Sequence, residues 1–219
     1  MNVSQTLLRH RIPSLPADPE QIAERLRAAG YEVSRIVPLA ELLRPVVVAR
    51  VESVTQHPNA DRLKVCAVND GSEQTLQIVT GASNVQAGAY YPVIRSGVTL
   101  PNGVKIKRGK LRGEESQGML GSADELELGT DHAGLMALAG EPAPGTPLPD
   151  VIDTPGVVFV IDGNPELDEV VEKLGGPKRE PKAEEGAGPG SAGSAQAGSA
   201  DGGSAGSGSG SADAGSAQA

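Results

Sequence analysis

Five basic side chains lie within one short stretch near the middle of the chain, namely Lys105, Lys107, Arg108, Lys110 and Arg112. Ammonium and guanidinium groups bind phosphate oxygens, and the guanidinium can do so through two parallel hydrogen bonds. If the stretch is one strand, Lys105 and Lys107 point to the same face, and a bulge or turn at Gly109 would return Lys110 and Arg112 to it. The pattern favours a phosphate-binding strand. The alternative is a solvated strand edge that its charges protect from association.

Catalytic chemistry has weaker support. Cys66 and His57 are the nucleophile–base pair that the sequence offers, but Cys66 lies in an alternating pattern where a small buried side chain is expected. A single cysteine excludes an internal disulfide, and the histidines lack metal-ligand spacing. A faint phosphate-loop pattern after Gly103 fails because Leu111 stands where Ser or Thr is required. We therefore predict no catalytic residue, no metal and no cofactor.

The charge of the chain demands that any nucleic-acid contact be local. The formal net charge is −9, and residues 183–219 hold four carboxylates and no Lys or Arg, which leaves −5 for residues 1–182. That last segment is nearly all Gly, Ser and Ala, so it buries too little apolar surface to offset the entropy of ordering. We expect residues 177–219 to form a disordered tail. RNA affinity should be modest and steep in salt.

The elements that must position the basic cluster begin with an amphipathic helix over residues 17–31. Asp18 suits its N-cap, Pro19 its first position, and Gln21 completes an arrangement like a capping box. Gly30 should end the helix in a left-handed conformation. A short strand over residues 31–37 should follow.

A second strand–helix pair stands near the other end of the folded part. The apolar run Val157–Ile161 is typical of a buried strand. Asn164 should cap the following helix, and Pro165 should begin it. We expect the two pairs to pack together as one small α/β domain.

The block between these pairs, residues 41–151, is rich in Val, Ile and Thr and interrupted by Gly, Pro and Asn. It shows several short strand patterns and no long helix, as an all-β barrel should. The predicted organisation is therefore an insertion of this barrel into the small domain. The segments are 1–40 and 152–176 for the halves of the α/β domain, 41–151 for the barrel and 177–219 for the tail.

The order of several segments resembles a known family. An apolar strand Val46–Val51, the turn His57-Pro58-Asn59-Ala60-Asp61, the run Gln77–Val85 and the stretch Lys105–Leu120 follow one another. This order is similar to that of the tRNA-binding OB-fold domain in the β subunit of bacterial phenylalanyl-tRNA synthetase and in stand-alone tRNA-binding proteins. That subunit's N-terminal region is also a small α/β domain with an inserted barrel.

The resemblance implies an α+β fold, with an OB-fold β-barrel inserted into a small α/β domain and a disordered tail after it. It covers roughly residues 1–175. After Ile161 the family continues through a Thr-Pro-Asn-Arg-like segment into much longer domains, whereas Asp162-Gly163-Asn164-Pro165 stands here. The sequence therefore looks like a truncated, stand-alone paralogue, and no aminoacylation is carried over.

The resemblance also extends the candidate RNA site. Arg62, Lys64 and Asn84 match polar positions of the family pattern, and each could equally be an ordinary surface residue. In the family, a Ser-x-Gly-Met element lies at the nucleic-acid face. Ser116 could then donate to a phosphate or base edge and Met119 could pack on a base, or Met119 could fill the barrel instead.

The resemblance implies tRNA as the partner. The scarcity of aromatic side chains favours a structured RNA, because few rings are available to stack single-stranded bases. The alternative is a protein-interaction or chaperone-like module, either a homodimer or a partner of synthetase subunits. Neither a signal peptide nor an uninterrupted apolar span of ~20 residues is present. We expect a cytoplasmic protein that binds no membrane.

Overall fold

The computed structural model describes residues 1–131 and 133–177. The tail predicted for residues 177–219 therefore lies outside the described residues, except for Pro177. In chain order the elements are β1 (Asn2–Ser4), α1 (Gln5–Arg11), α2 (Pro19–Ala28), β2 (Val33–Pro38), α3 (Leu39–Leu43), β3 (Val47–Gln56), β4 (Lys64–Asn69), β5 (Leu76–Thr80), β6 (Tyr90–Arg95), β7 (Gly109–Leu111), β8 (Glu114–Ser116), β9 (Gly118–Leu120), a 3₁₀ turn (Leu148–Asp150), β10 (Val157–Ile161) and α4 (Leu167–Lys173).

The two ends of the folded part form one small α/β unit. Its antiparallel sheet has the order β1-β10-β2, with Phe159 opposite both Val3 and Ile36. Helices α1, α2 and α4 bury apolar side chains against this sheet, including Leu8, Ile22, Leu26, Val170 and Val171. The predicted packing of two strand–helix pairs is therefore present, and β1 and α1 add to it.

Local sequence sets the ends of α2. The Asp18 carboxylate accepts from the Glu20 N–H at 3.0 Å and from the Gln21 side-chain amide at 3.3 Å. At the other end Tyr31 N donates to Leu26 O at 3.0 Å, while Gly30 adopts φ +90°. This is the Schellman arrangement, which glycine accommodates without strain. The helix is shorter than the predicted 17–31 because its caps lie inside that range.

The predicted start of α4 is wrong. The helix begins at Leu167 with Glu166 as its N-cap, instead of beginning at Pro165 after an Asn164 cap. Gly163 has φ +80°, and its carbonyl accepts from the N-terminal ammonium of Met1 at 2.9 Å. This contact holds the segment in a turn beside the sheet, so the helix starts later.

The central block folds into a nearly closed five-stranded barrel of the OB type, with antiparallel order β5-β4-β3-β6-β9. Strand β3 is long enough to pair with β6 through its first half and with β4 through most of its length. A register shift between Val51 and Ser53 bends it between the two partners. The interior holds mostly Val side chains, together with two leucines, Ala49, Ile78, Tyr91 and Cys66.

The barrel and the small unit share a hydrophobic cluster. Val158 of β10 and Leu39 and Leu43 of α3 pack with barrel residues such as Ile94 and Leu126. The chain positions predicted for the domain boundaries stay a prediction. Among the described residues no helix is long and apolar enough to cross a membrane.

A buried carboxylate also joins the two units. The Ser4 hydroxyl donates to Glu127 Oε2 at 2.5 Å and accepts from the Leu7 N–H at 3.0 Å. Glu127 is 9% exposed and has φ +58°, a left-handed conformation rare for glutamate. Burial raises the pKa of Glu127 and the Asp124 carboxylate adds to that rise, while the Ser4 hydrogen bond opposes it.

We expect Glu127→Gln to stabilise the protein more at pH 7.5 than at pH 4. A raised pKa means that the folded state holds the proton more tightly than the unfolded chain. The contribution of Glu127 to the free energy of unfolding is therefore fully present below its pKa in the unfolded chain, about 4.3. It is lost as the pH rises through the pKa of the folded state. Glutamine stays neutral and still accepts from Ser4. Urea unfolding at both pH values measures the change, and the exposed Glu24→Gln is the control. Equal changes in the free energy of unfolding for the two variants would contradict this account.

Candidate phosphate-binding surface

The basic stretch divides into two structural segments. Strand β7 begins only at Gly109, and before it Lys105 makes an isolated bridge with Thr99. Ile106 is buried, while Lys105 and Lys107 are exposed, as alternation along an extended chain requires. The prediction of one continuous strand over the basic stretch is therefore wrong. Ile106 bonds in both directions to the chain at 97–98, which anchors this segment to the barrel rim.

Lys110 and Arg112 belong to a tight hairpin, whose turn lies at Arg112–Gly113 and not at Gly109, where a bulge or turn was expected. Strands β7 and β8 pair with Leu111 opposite Glu114, so Arg112 and Gly113 form a two-residue turn. Their φ values are +50° and +103°. Positive φ at both positions is the mark of a type I′ turn, whose twist suits a hairpin. Arg112 thus stands at the tip of the hairpin, with its side chain exposed.

The loop between β3 and β4 contacts this tip. His57 Nε2 lies 2.9 Å from Leu111 O, and Asn59 Nδ2 donates to Arg112 O at 3.3 Å. The same loop carries the exposed Arg62. The structure therefore places the loop that carries Arg62 against the hairpin. We call the exposed basic residues of these segments the hairpin–loop surface: Arg62, Lys105, Lys107, Arg108, Lys110 and Arg112.

Two acidic side chains lower the charge of this surface. Arg108 Nε lies 3.2 Å from Glu115 Oε1, and both side chains are substantially exposed. Glu115 also stands opposite Lys110 in the hairpin, and Glu114 accepts from the Gln77 side-chain amide at 3.2 Å. Residues 105–116 still hold five basic and two acidic groups. A polyanion that approaches this surface therefore meets a local excess of positive charge on an acidic protein.

Ser116 and Gln117 close the barrel. The Ser116 hydroxyl accepts from Val79 N at 3.1 Å and donates to Gly118 O at 2.9 Å. The Gln117 side-chain carbonyl accepts from Gln77 N at 2.8 Å, and Gln117 N donates to Gln77 O at 2.9 Å. These bonds join β5 to the β8–β9 segment where backbone pairing lapses. Ser116 is buried and its one proton is committed, so the geometry favours this role over an RNA contact.

Gly118 lets the closing strand approach β6. A Cβ atom built at this position would lie 2.6 Å from Ile94 O, inside contact distance. Met119 is half-buried against the cluster shared with the small unit. The alternative expectation, that Met119 fills the barrel, does not match this packing, because Met119 joins the shared cluster and not the cluster of the barrel interior. Contact of Met119 with a base stays a prediction.

Lys64 and Asn84 are both engaged in hydrogen bonds within the protein. Lys64 Nζ donates to Ser83 O at 3.1 Å. The Asn84 side chain accepts from Leu135 N at 2.9 Å and donates to Leu135 O at 2.8 Å, like one rung of a strand ladder. Asn84 thereby fastens a long loop to the barrel. Their predicted RNA contacts stay predictions.

Cys66 is a core residue. Its side chain has no exposed surface, and burial raises the pKa of the thiol to about 11, which the nearby Lys64 ammonium only partly opposes. The thiol therefore stays protonated near neutral pH and is a poor nucleophile. His57 contacts the hairpin instead. Within residues 1–131 and 133–177, no group of three His, Cys, Asp or Glu side chains could hold a metal ion.

Sequence reasoning missed the contacts by which His57 and Asn59 hold the hairpin tip and Gln117 holds the hairpin base. The order His57-Pro58-Asn59 could have indicated the first two roles, because a histidine nitrogen can accept a hydrogen bond from the backbone N–H two residues later. In the structure Asn59 N donates to His57 Nδ1 at 3.1 Å. Gln117 gave no such signal, because its partner lies 40 residues away.

Comparison with known proteins places this surface in a family context. Residues 46–147 match the family model described as "Putative tRNA binding domain". The phenylalanine–tRNA ligase β subunit of Bordetella parapertussis is 45% identical over 153 residues, or 70% of this chain and 19% of the relative. That of Chlorobium chlorochromatii is 40% identical over 179 residues, or 80% of this chain and 22% of the relative. The chain thus spans about a fifth of the length of these relatives.

Solved structures with partial similarity were also found. A methionyl-tRNA synthetase (MetRS) related protein from Pyrococcus horikoshii is 23% identical, with a TM-score of 0.34, and the match covers 46% of this chain and 85% of that one. The C-terminal domain of Plasmodium vivax p43 is 25% identical, also with a TM-score of 0.34, over 47% of this chain and 59% of that one.

Proposed function

We infer that this chain binds tRNA, because it is a relative of the phenylalanine–tRNA ligase β subunit and carries a tRNA-binding domain over residues 46–147. The bound RNA would be tRNA or another structured RNA, and the contact would be made by the hairpin–loop surface. The observation that supports this proposal most is one of position. Every residue of the hairpin–loop surface falls within the matched residues.

Recognition would rest on charge and shape. The two barrel tyrosines offer little for base stacking, since the Tyr91 hydroxyl donates to Asn84 O at 2.9 Å from a buried ring and Tyr90 is half-buried in the shared cluster. Proteins that grip single strands rely on exposed aromatic platforms. Folded RNA is recognised through its phosphates and 2′-hydroxyls, which suit Lys and Arg side chains.

The test is fluorescence anisotropy of labelled tRNA with the full chain at about 50 and 200 mM salt, with duplex DNA of equal length as competitor. The proposal expects binding that falls at least 10-fold between the two salts, and a preference for tRNA over DNA. Absence of any binding at the lower salt would rule out the proposed function.

The same proposal treats the protein as a non-catalytic member of its family. The matched relatives are ligase subunits, and this chain aligns with about a fifth of each. Homodimerisation, association with synthetase subunits and the cytoplasmic location stay predictions. Among the described residues Val104 is the one large apolar side chain that is exposed, which gives little support to an apolar docking face.

Removing the acidic partner within the surface should strengthen binding. We expect Glu115→Gln to raise tRNA affinity about threefold at ~50 mM salt, because it releases Arg108 and removes a repelling charge beside Lys110. Glu24→Gln, which makes the same charge change on the exposed face of α2, should alter affinity far less. Equal gains from both variants would mean that net charge, and not this surface, governs binding.

A further inference from the structure

The imidazole of His57 lies at the junction of the β3–β4 loop and the β7–β8 hairpin, and it is 3% exposed. Nε2 is 2.9 Å from Leu111 O, and Nδ1 is 3.1 Å from Asn59 N. A carbonyl oxygen only accepts and a backbone N–H only donates. Both bonds therefore require the neutral tautomer with its proton on Nε2.

These two bonds connect the basic parts of the surface. Leu111 directly precedes the Arg112–Gly113 turn, and the loop carries Arg62. The loop itself is internally fixed: the Gln56 side-chain amide donates to Ala60 O, Asp61 O and Leu63 O at 3.0 to 3.1 Å. His57 thus links a rigid loop to the tip of the hairpin.

The β7–β8 hairpin is too short to be stable without contacts to the rest of the protein. Its two strands have three residues each, and isolated two-stranded hairpins are marginally stable in water. Ser116 and Gln117 fasten its base to β5. On the β8 side, the Gln77 side-chain amide donates to Glu115 O at 2.9 Å and to Glu114 Oε2 at 3.2 Å. On the β7 side of the tip, Leu111 O and Arg112 O are the atoms that His57 and Asn59 contact.

We propose that His57 is a positioning residue for RNA binding, which holds Arg112 beside Arg62 so that both guanidiniums face the same stretch of phosphate backbone. The inference rests on the proposed function. The mechanism is preorganisation: a tip ordered during folding spends no binding free energy on ordering when RNA arrives. His57 itself touches no phosphate.

Two substitutions separate the two bonds. In His57→Gln the side-chain amide reaches the place of Nε2 and can donate to Leu111 O. In His57→Asn the side-chain oxygen takes the place of Nδ1 and can accept from Asn59 N, but the amide falls short of the hairpin. We expect tRNA affinity to stay within about twofold for Gln and to fall about 10-fold for Asn. Thermal melting checks that both variants fold.

A double-mutant cycle with Arg112→Gln distinguishes positioning from general stability. Arg112→Gln should cost about 10-fold in affinity in the wild-type background and less than about threefold in the His57→Asn background. Full additivity, or equal losses for His57→Asn and His57→Gln, would overturn the positioning role.

The hydrogen bonds of His57 can also be tested without RNA. A long-range ¹H–¹⁵N spectrum of the wild-type protein should show His57 as the Nε2–H tautomer at about pH 7, and the Nδ1–H tautomer would overturn the inference. If the wild-type protein binds no tRNA, the proposed function fails. The spectrum still decides separately whether the link exists.

Discussion

Replacing Lys107, Lys110 and Arg112 together by glutamine is expected to weaken tRNA binding about 100-fold at ~50 mM salt. Each side chain lies on the hairpin–loop surface and is exposed. Loss of three phosphate contacts should also reduce the slope of log affinity against log salt concentration by between about 2 and 3 in magnitude. Glutamine keeps the length of each side chain and removes its charge. Anisotropy titrations across several salt concentrations measure both quantities.

The matched control for this variant changes the same amount of charge elsewhere. Arg9, Arg25 and Arg27 are exposed on the helices of the small unit. Their joint replacement by glutamine should lower affinity no more than about threefold, through long-range electrostatics alone. If both triple variants lose affinity equally, the hairpin–loop surface is not the binding site.

Gly118→Ala is expected to lower the free energy of unfolding by about 3 kcal/mol, the largest effect of any single change considered. The added methyl would meet the Ile94 backbone oxygen at 2.6 Å. A backbone atom of a central strand cannot move aside without breaking the pairing of β6 with β9. Urea denaturation with intrinsic or far-UV signals measures the change.

Gly129→Ala is the matched control for that prediction. Its Cβ would meet only the Ala123 side chain, at 3.8 Å, and its φ lies outside the left-handed region. We expect its stability to stay within about 0.5 kcal/mol of wild type. A Gly118→Ala protein as stable as this control would show that the barrel does not close as described.

Local chemistry explains which elements could be predicted. Helix α2 could be predicted from Asp18 and Pro19 at its start and Gly30 at its end. In the structure Asp18 is the N-cap, Pro19 is the first helical residue and Gly30 adopts the left-handed conformation. Strand β10 is an unbroken apolar run. Strand β1 was missed because it exists only through pairing with a strand about 155 residues away, which no local pattern encodes. Helix α1 was missed although Ser4 caps it, with its hydroxyl accepting from Leu7 N.

The candidate site shows the same division. The basic residues were found from their spacing, but their geometry was not, because Arg112 adopts a positive φ that arginine seldom takes and no Asn-Gly or Asp-Gly pair marks the turn. Ser116 was identified by resemblance, and its hydroxyl is spent on barrel closure across 37 residues. Residue type can show that a hydroxyl or a charge is present. Only the fold shows what it already binds.

The most direct test of the account is an NMR titration of the ¹⁵N-labelled 219-residue chain with tRNA at about 50 mM salt, which maps the backbone amides whose chemical shifts change. The account predicts changes concentrated in the hairpin, the β3–β4 loop and residues 105–108, with the small α/β unit unaffected. Changes centred on the small unit, or spread evenly over the barrel with the hairpin unchanged, would contradict it.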